Sequence, residues 1–154
     1  QNGITSGTSD TTFNPAGNVT RAQAVTFLYA AAGKPEPVST SNPFVDVTES
    51  DYFYKAVLWA SENGITAGTD ATHFDPNAKC VREQIVTFLY AAADKPAATA
   101  TVSFSDVQPG AWYYSAVAWA VENGITTGMG DGTFGVGATC TRAQIVTFLY
   151  RVQA

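Results

Sequence analysis

The chain has 154 residues, of which 45% are hydrophobic, 12% are aromatic and 14% are charged, and its formal net charge is −5 at pH 7. This hydrophobic content excludes intrinsic disorder, and no apolar run reaches the ~20 residues that a membrane-spanning helix needs. The negative net charge and the scarcity of cations argue against a sequence-independent interaction with nucleic acid or anionic membrane. A chain of this length builds one ordinary core, so we expect a single globular domain.

One sequence motif occurs three times. Asn-Gly-Ile-Thr begins at Asn2, Asn63 and Asn123, at intervals of 61 and 60 residues, and each copy runs through a turn into the pattern Arg-x-Gln-x-Val-Thr-Phe-Leu-Tyr. A fixed period of this length indicates a modular array whose units pack against one another. We assign the repeats to residues 1–35, 43–96 and 103–154. The first repeat contains only the second half of the pattern.

The first predicted helix begins at Arg21. Thr20 and Gln23 have the spacing of a capping box, in which the hydroxyl and the glutamine side chain bond to amide groups of the first turn, and the apolar Val19 fits a hydrophobic staple. The third repeat reproduces this pattern. The middle repeat has Val81 at the cap and so loses the hydroxyl, which costs about 1 kcal/mol and predicts that this helix frays first.

A second kind of helix is predicted over residues 54–62, where apolar residues recur at helical spacing. Asn63-Gly64 ends it, because glycine accepts the left-handed conformation that follows a helix. Trp59 and its counterpart Trp119 lie on apolar stripes, so we predict that both are core residues. The arginine helices are apolar on most faces, which predicts a central bundle of three with the other helices outside it.

Cys80 and Cys140 occupy the staple position that Val19 fills in the first repeat. This equivalence favours two buried free thiols, and a disulfide between them stays open as the alternative. The sequence has no Cys-x-x-Cys motif, and His73 is the single histidine, so we predict no metal site. No set of nucleophile, base and orienting residue is recognisable, so we predict neither an enzyme nor a cofactor.

In order, the second and third repeats carry Phe-x-Asp-Val, an aromatic pair, a Trp-Ala helix, Asn-Gly-Ile, a Gly-rich turn ending in Phe, and an Arg-x-Gln helix. This order resembles the surface-layer homology (SLH) module. The resemblance implies an all-α fold over residues 1–154: a pseudo-threefold prism with a central three-helix bundle, outer helices and short loop or hairpin connections. It also implies a secreted protein of the bacterial cell surface.

The resemblance further implies function. Its modules anchor exported proteins non-covalently to cell-wall glycan, either a pyruvylated secondary polymer or a peptidoglycan-linked polysaccharide, through grooves between repeats. By position it assigns ligand contact to the motif arginines, the opening aspartates and one Gly-Asp-Gly turn: Arg21, Arg82, Arg142, Asp46, Asp106, Gly130, Asp131 and Gly132. The motif glutamate of the family is glutamine in all three copies here, which removes a carboxylate.

Physical reasoning adds detail to these assignments. A guanidinium at the first turn of a helix lies where an anion is already favoured, which suits a carboxylate such as ketal-linked pyruvate. Trp112 and Tyr113, at a helix entrance, are candidates for stacking on a sugar. We expect Arg142 to matter most for binding, with little effect on stability, because its repeat alone combines a Thr cap, a Gly-Asp-Gly turn and a complete first helix.

Two alternatives stay open. Each arginine could instead pair with Asp46 or Asp106 of a neighbouring repeat and tie the lobes together. The chain could also be an assembly module, because a first repeat without its first helix would leave an apolar channel for a second molecule or a swapped element. The repeat length predicts roughly 25 further upstream residues with a Trp-Ala helix in the parent protein.

Overall fold

The computed structural model describes residues 17–39 and 41–153. It contains five helices: α1 Arg21–Ala31, α2 Tyr54–Glu62, α3 Arg82–Ala92, α4 Tyr114–Glu122 and α5 Arg142–Gln153. The described residues form isolated β-bridges but no strand, so the predicted all-α class is confirmed. The helix predicted over residues 54–62 has those bounds in the structure. None of the helices in the described residues has the length and apolar character to cross a membrane.

Capping boxes start two of the three arginine helices, as predicted. Thr20 Oγ1 accepts from Gln23 N at 3.1 Å, and Gln23 Oε1 accepts from Thr20 N at 3.0 Å. Thr141 and Gln144 repeat this exchange at 3.2 Å and 2.8 Å. In α3 only the glutamine half remains, because Val81 has no side-chain oxygen; Gln84 Oε1 accepts from Val81 N at 3.0 Å.

Each outer helix packs against the arginine helix of the preceding repeat. α2 lies on α1, α4 lies on α3, and α1 also contacts both α3 and α5. An aromatic pair joins each outer helix to its neighbour: Tyr29 and Trp59 have ring centroids 5.5 Å apart, and Tyr90 and Trp119 have centroids 5.6 Å apart. Both tryptophans are buried, which confirms that they are core residues.

A closed ring of backbone hydrogen bonds joins the residues that precede the three arginine helices. Val19 N donates to Cys140 O at 2.9 Å, Cys140 N donates to Cys80 O at 2.9 Å, and Cys80 N donates to Val19 O at 2.8 Å. All three residues are fully buried. Because every repeat donates to one neighbour and accepts from the other, the array closes on itself.

A second set of backbone hydrogen bonds closes a ring in the opposite direction, with each repeat donating to the next one along the chain. Arg21 N donates to Ala78 O at 2.8 Å and Arg82 N donates to Ala138 O at 2.9 Å. Arg142 N donates to Gly17 O at 2.9 Å, which carries the order from the third repeat back to the first. The first amide of each arginine helix is therefore held by another repeat, which fixes where its arginine side chain starts.

Both cysteines are free thiols in the structure, as their staple position predicted. Burial raises the pKa of Cys80 and that of Cys140 to about 12. A thiol with such a pKa holds almost no thiolate at neutral pH and is therefore unreactive. These residues act as small apolar groups around the ring of hydrogen bonds.

This packing predicts how substitutions at Cys80 behave. Cys80→Val should change the free energy of unfolding by less than about 1.5 kcal/mol, because Val19 already fills the equivalent site and the swap stays apolar. Cys80→Ser should lower it by about 1–3 kcal/mol, because it buries a hydroxyl in an apolar site. Urea unfolding of the two variants measures the difference. Equal losses of unfolding free energy in the two variants would contradict an apolar role. In a separate test, fewer than two DTNB-reactive thiols in the denatured, unreduced chain would establish a disulfide.

Candidate functional site

In the turn of the second repeat, both the backbone N–H and the backbone carbonyl of Phe74 are hydrogen-bonded to side chains. Asp46 accepts from Phe74 N at 3.0 Å and from Asp75 N at 2.9 Å, and Phe74 O accepts from Arg21 Nε at 2.8 Å. The guanidinium carbon of Arg21 lies 4.9 Å from the centroid of the fully buried Phe74 ring. One residue thus joins an aspartate of its own repeat to an arginine of the preceding repeat.

The third repeat has the same arrangement. Asp106 accepts from the backbone N–H groups of Phe134, Gly135 and Val136 at 2.8, 2.9 and 2.9 Å. Phe134 O accepts from Arg82 Nε at 2.8 Å, and the Arg82 guanidinium lies 4.8 Å from the Phe134 ring centroid. Burial alone raises the pKa of Asp106, but the three N–H groups outweigh it, and the net pKa is lowered.

These contacts replace the direct ion pair that we considered between the arginines and Asp46 or Asp106. The ion pairs within the described residues are Lys55–Glu36 and His73–Asp70, both exposed. The tie between neighbouring repeats exists, but the phenylalanine peptide lies between the carboxylate and the guanidinium. The guanidinium N–H groups that do not bind the carbonyl can therefore take another acceptor.

All three motif arginines are buried, with 4%, 3% and 3% of Arg21, Arg82 and Arg142 exposed. Each guanidinium also stacks on a helix phenylalanine of the next repeat in the cycle: Phe88 at 5.5 Å, Phe148 at 5.4 Å and Phe27 at 5.2 Å. Arg142 is as deeply packed as the other two. Its replacement should therefore lower stability, whereas from the sequence we expected little effect on stability.

Two grooves open beside these arginines at equivalent positions. Groove one, about 370 Å³, is lined by Arg21, the turn at residues 65–69, Gln84, Thr87, Phe88 and Trp112. Groove two, about 430 Å³, is lined by Arg82, the turn at residues 126–129, Ala143, Gln144, Thr147, Phe148 and Arg151. Each groove combines the arginine of one repeat with the turn and arginine helix of the next, so both are clefts between repeats.

The structure brings some of the predicted site residues together and leaves others apart. Arg21 and Trp112 line groove one, and Trp112 is 67% exposed with its ring edge-on to Tyr113, centroids 5.1 Å apart. Arg82 lines groove two. The remaining predicted residues do not line either groove: Asp46, Asp106, Tyr113, Gly130, Asp131, Gly132 and Arg142.

Three residues at or beside the grooves were not among those predicted from the sequence. Glu83 is buried and accepts from Gly137 N at 2.9 Å and 3.2 Å, a clamp between α3 and the next turn. Thr126, the last residue of the Asn-Gly-Ile-Thr motif, is buried on the floor of groove two, 3.5 Å from Arg82 Nη2. Arg151 lies at the edge of that groove. Recurrence of the motif was a usable signal for Thr126, whereas Glu83 and Arg151 each occur in one repeat.

No three His, Cys, Asp or Glu side chains of the described residues lie close enough together to hold a metal ion. His73 contacts Asp70 at 3.1 Å in an exposed turn, and this contact raises the pKa of His73. The polar and aromatic side chains that line the two grooves are instead guanidinium, hydroxyl, amide, phenyl and indole groups, beside a few aliphatic ones. Groups of these kinds are chemically suited to an anionic, hydroxyl-rich ligand, which they can contact through hydrogen bonds and ring stacking.

Comparison with known proteins identifies the same three repeats. The sequence model of the S-layer homology domain matches residues 1–25, 43–86 and 103–146. The chain is 32% identical over 82% of its length to the surface-layer 125 kDa protein of Lysinibacillus sphaericus. It is 49% identical over 34% of its length to a cell surface protein of Thermoanaerobacter kivui, and 29% identical over 79% to an endoglucanase of Bacillus sp. strain KSM-635. The chain spans 11%, 7% and 13% of the lengths of these relatives.

The contacts of Asp106 predict a pH-dependent contribution to stability. Asp106→Asn should lower the free energy of unfolding at pH 7 by about 1–3 kcal/mol, because the turn loses charge-assisted hydrogen bonds. The folded-state pKa is lowered, so this contribution is present above the unfolded pKa of about 4 and disappears as the pH falls through the folded pKa. Thermal unfolding from pH 7 to pH 2 measures it.

Asp131→Asn is the matched control. Asp131 is an exposed carboxylate in the same repeat and bonds to Thr133 within its own turn. We expect the smaller loss of stability from this variant. Equal losses in the two variants, or a loss in Asp106→Asn that does not shrink in acid, would refute a special role for the Asp106 contacts.

Proposed function

Because the chain belongs to the S-layer homology domain family, we propose that groove one and groove two bind the cell-wall glycan to which it anchors. Domains of this family attach surface proteins to the bacterial cell wall, and the chain is accordingly a secreted, cell-surface protein. SLH domains are anchoring modules rather than catalysts. The similarity to an endoglucanase, over 13% of that enzyme's length, does not make this chain an enzyme.

The observation that carries the proposal is the buried guanidinium in each groove. Nε of Arg21 and Nε of Arg82 each donate to a turn carbonyl, which fixes the plane of the guanidinium and of its paired N–H donors. A guanidinium fixed in this way needs little reordering to bind a carboxylate through two parallel hydrogen bonds. A pyruvyl ketal on a sugar offers such a carboxylate, so we propose a pyruvylated secondary polymer as the ligand.

The surroundings of Arg21 fit the rest of such a ligand. Trp112 presents an exposed indole at the edge of groove one, where the apolar face of a sugar ring can stack. Gln84 and Thr87 place an amide and a hydroxyl on the helix side of the groove. These groups match a ring that carries both hydroxyls and one carboxylate.

We propose that residues 1–154 form one domain with repeats at 1–35, 43–96 and 103–154. Two cyclic sets of backbone hydrogen bonds join the repeats, and the motif arginines pack across their boundaries. A repeat removed from this arrangement would expose buried guanidiniums and backbone groups. The repeats therefore support one another rather than fold separately.

Cosedimentation with purified cell walls tests the proposal. Trp112→Ala should weaken binding about tenfold, or 1.4 kcal/mol, whereas Trp112→Phe keeps an aromatic face and should lose less. Walls from which the pyruvate ketals have been removed by mild acid should bind more weakly still, because the carboxylate is gone. Unchanged binding to such walls would disprove carboxylate recognition, and no binding to any walls would disprove anchoring.

A second candidate function rests on the exposed face of α5. Tyr150 is 72% exposed, whereas its counterpart Tyr29 is 8% exposed beneath Trp59 of α2. Val146 is partly exposed, although the equivalent valines of α1 and α3 are fully buried. In the described residues α2 covers this face of α1 and α4 covers it on α3, while no helix covers it on α5. This favours assembly, in which a helix of a second copy packs on α5.

Sedimentation velocity at increasing concentration tests the assembly. The wild-type chain should form a dimer, and Tyr150→Ala should weaken it at least tenfold, because an aromatic anchor of the interface is lost. Val45→Ala is the control, since Val45 is 69% exposed in the second repeat, where its N–H donates to Thr72 O, and it should leave dimerisation unchanged. A wild-type chain that stays monomeric, or equal effects of the two variants, would count against this second function.

A further inference from the structure

We propose that the two grooves differ in the charge of the ligand they accept: groove two takes a dianionic group, such as a phosphomonoester on a sugar, and groove one takes a monoanion. The difference lies in Arg151, which makes groove two a site with two guanidiniums. This inference rests on the proposed role of the grooves as glycan sites and goes beyond it, because it assigns different ligand classes to them.

Neighbouring residues hold the two guanidiniums of groove two. Arg151, in the last turn of α5, donates from Nη1 to Ile125 O at 2.9 Å. The next residue, Thr126, has its hydroxyl 3.5 Å from Arg82 Nη2. Because Ile125 and Thr126 are adjacent and buried, the two guanidiniums are held at the same end of the turn and line the same groove.

Among the residues that the structure describes, no carboxylate lines groove two to balance these charges. The nearby acids are occupied elsewhere: Asp106 bonds to three backbone N–H groups of the turn after Phe134, and Glu83 bonds to Gly137 N. Two guanidiniums near one another repel. An anion bound between them attracts both and offsets this repulsion. A phosphomonoester carries close to two negative charges and several acceptor oxygens, so it can bond to both forks.

In the described part of the chain, Arg21 is the one cation that lines groove one. The counterpart of Arg151 is Ala91, which is buried, and Trp112 supplies an uncharged aromatic surface instead. The carboxylates near the motif arginines do not distinguish the grooves, because Asp46 and Asp75 lie near Arg21 while Asp106 and Glu83 lie near Arg82. Groove one therefore offers one guanidinium and a flat ring, a set suited to a sugar with a single carboxylate.

Titration calorimetry with two sugar-sized probes tests this inference. Glucose 6-phosphate is a dianion above its second pKa of about 6, and glucuronate is a monoanion. At pH 7.5 the wild-type chain should bind the phosphate at least tenfold more tightly than glucuronate. Arg151→Ala should abolish this preference, and Arg151→Lys should keep part of it, because the charge remains but the fork is lost. The preference should also fall at pH 5, where the phosphate is a monoanion.

The comparison is interpretable because Arg151 is exposed and the single histidine, His73, does not line groove two. An unchanged melting temperature establishes that each variant is folded. A preference that survives in Arg151→Ala, or a wild type that binds neither probe, would overturn the inference even if wall binding holds. A wild type that shows the preference but does not bind walls would leave this inference standing and refute the anchoring function.

Discussion

In the two turns that the structure describes, the peptide group of one phenylalanine, Phe74 or Phe134, connects neighbouring repeats, and the rest of the arrangement depends on it. Its N–H bonds to the aspartate of its own repeat, and its carbonyl accepts from the buried arginine of the preceding repeat. A buried guanidinium is stable only where acceptors meet its N–H groups, so the turn, the arginine and the aspartate are interdependent. Of these residues, Arg21 and Arg82 also line the grooves, so a ligand bound there would contact a group that joins two repeats.

What the sequence predicted well was local. The capping boxes at Thr20 and Thr141 depend on residues three positions apart, and the helix over residues 54–62 has a clear apolar period and a glycine stop. The burial of Trp59 followed from its place on the apolar stripe. Such features need no knowledge of neighbouring elements, because the physical cause lies within a few residues.

What could not be predicted was tertiary. Nothing local indicates that α2 lies on the arginine helix of the preceding repeat rather than on that of its own. The aspartates looked like partners for the arginines by charge, yet backbone N–H groups satisfy them instead. Glu83 and Arg151 each occur at their repeat position in one repeat only. Recurrence therefore does not indicate that they matter, although both contact another part of the fold.

The closed ring through Val19, Cys80 and Cys140 distinguishes this array from an open solenoid. In a solenoid each unit contacts only its sequence neighbours, folding can start anywhere, and further units can be added at either end. Here the ring offers no vacant backbone partner, so a fourth repeat could not join it without breaking a bond. Ring closure also requires residues from the first and third repeats, and contacts of such long sequence separation are associated with slower folding. During synthesis the domain therefore reaches its stable state only after Cys140 has been added.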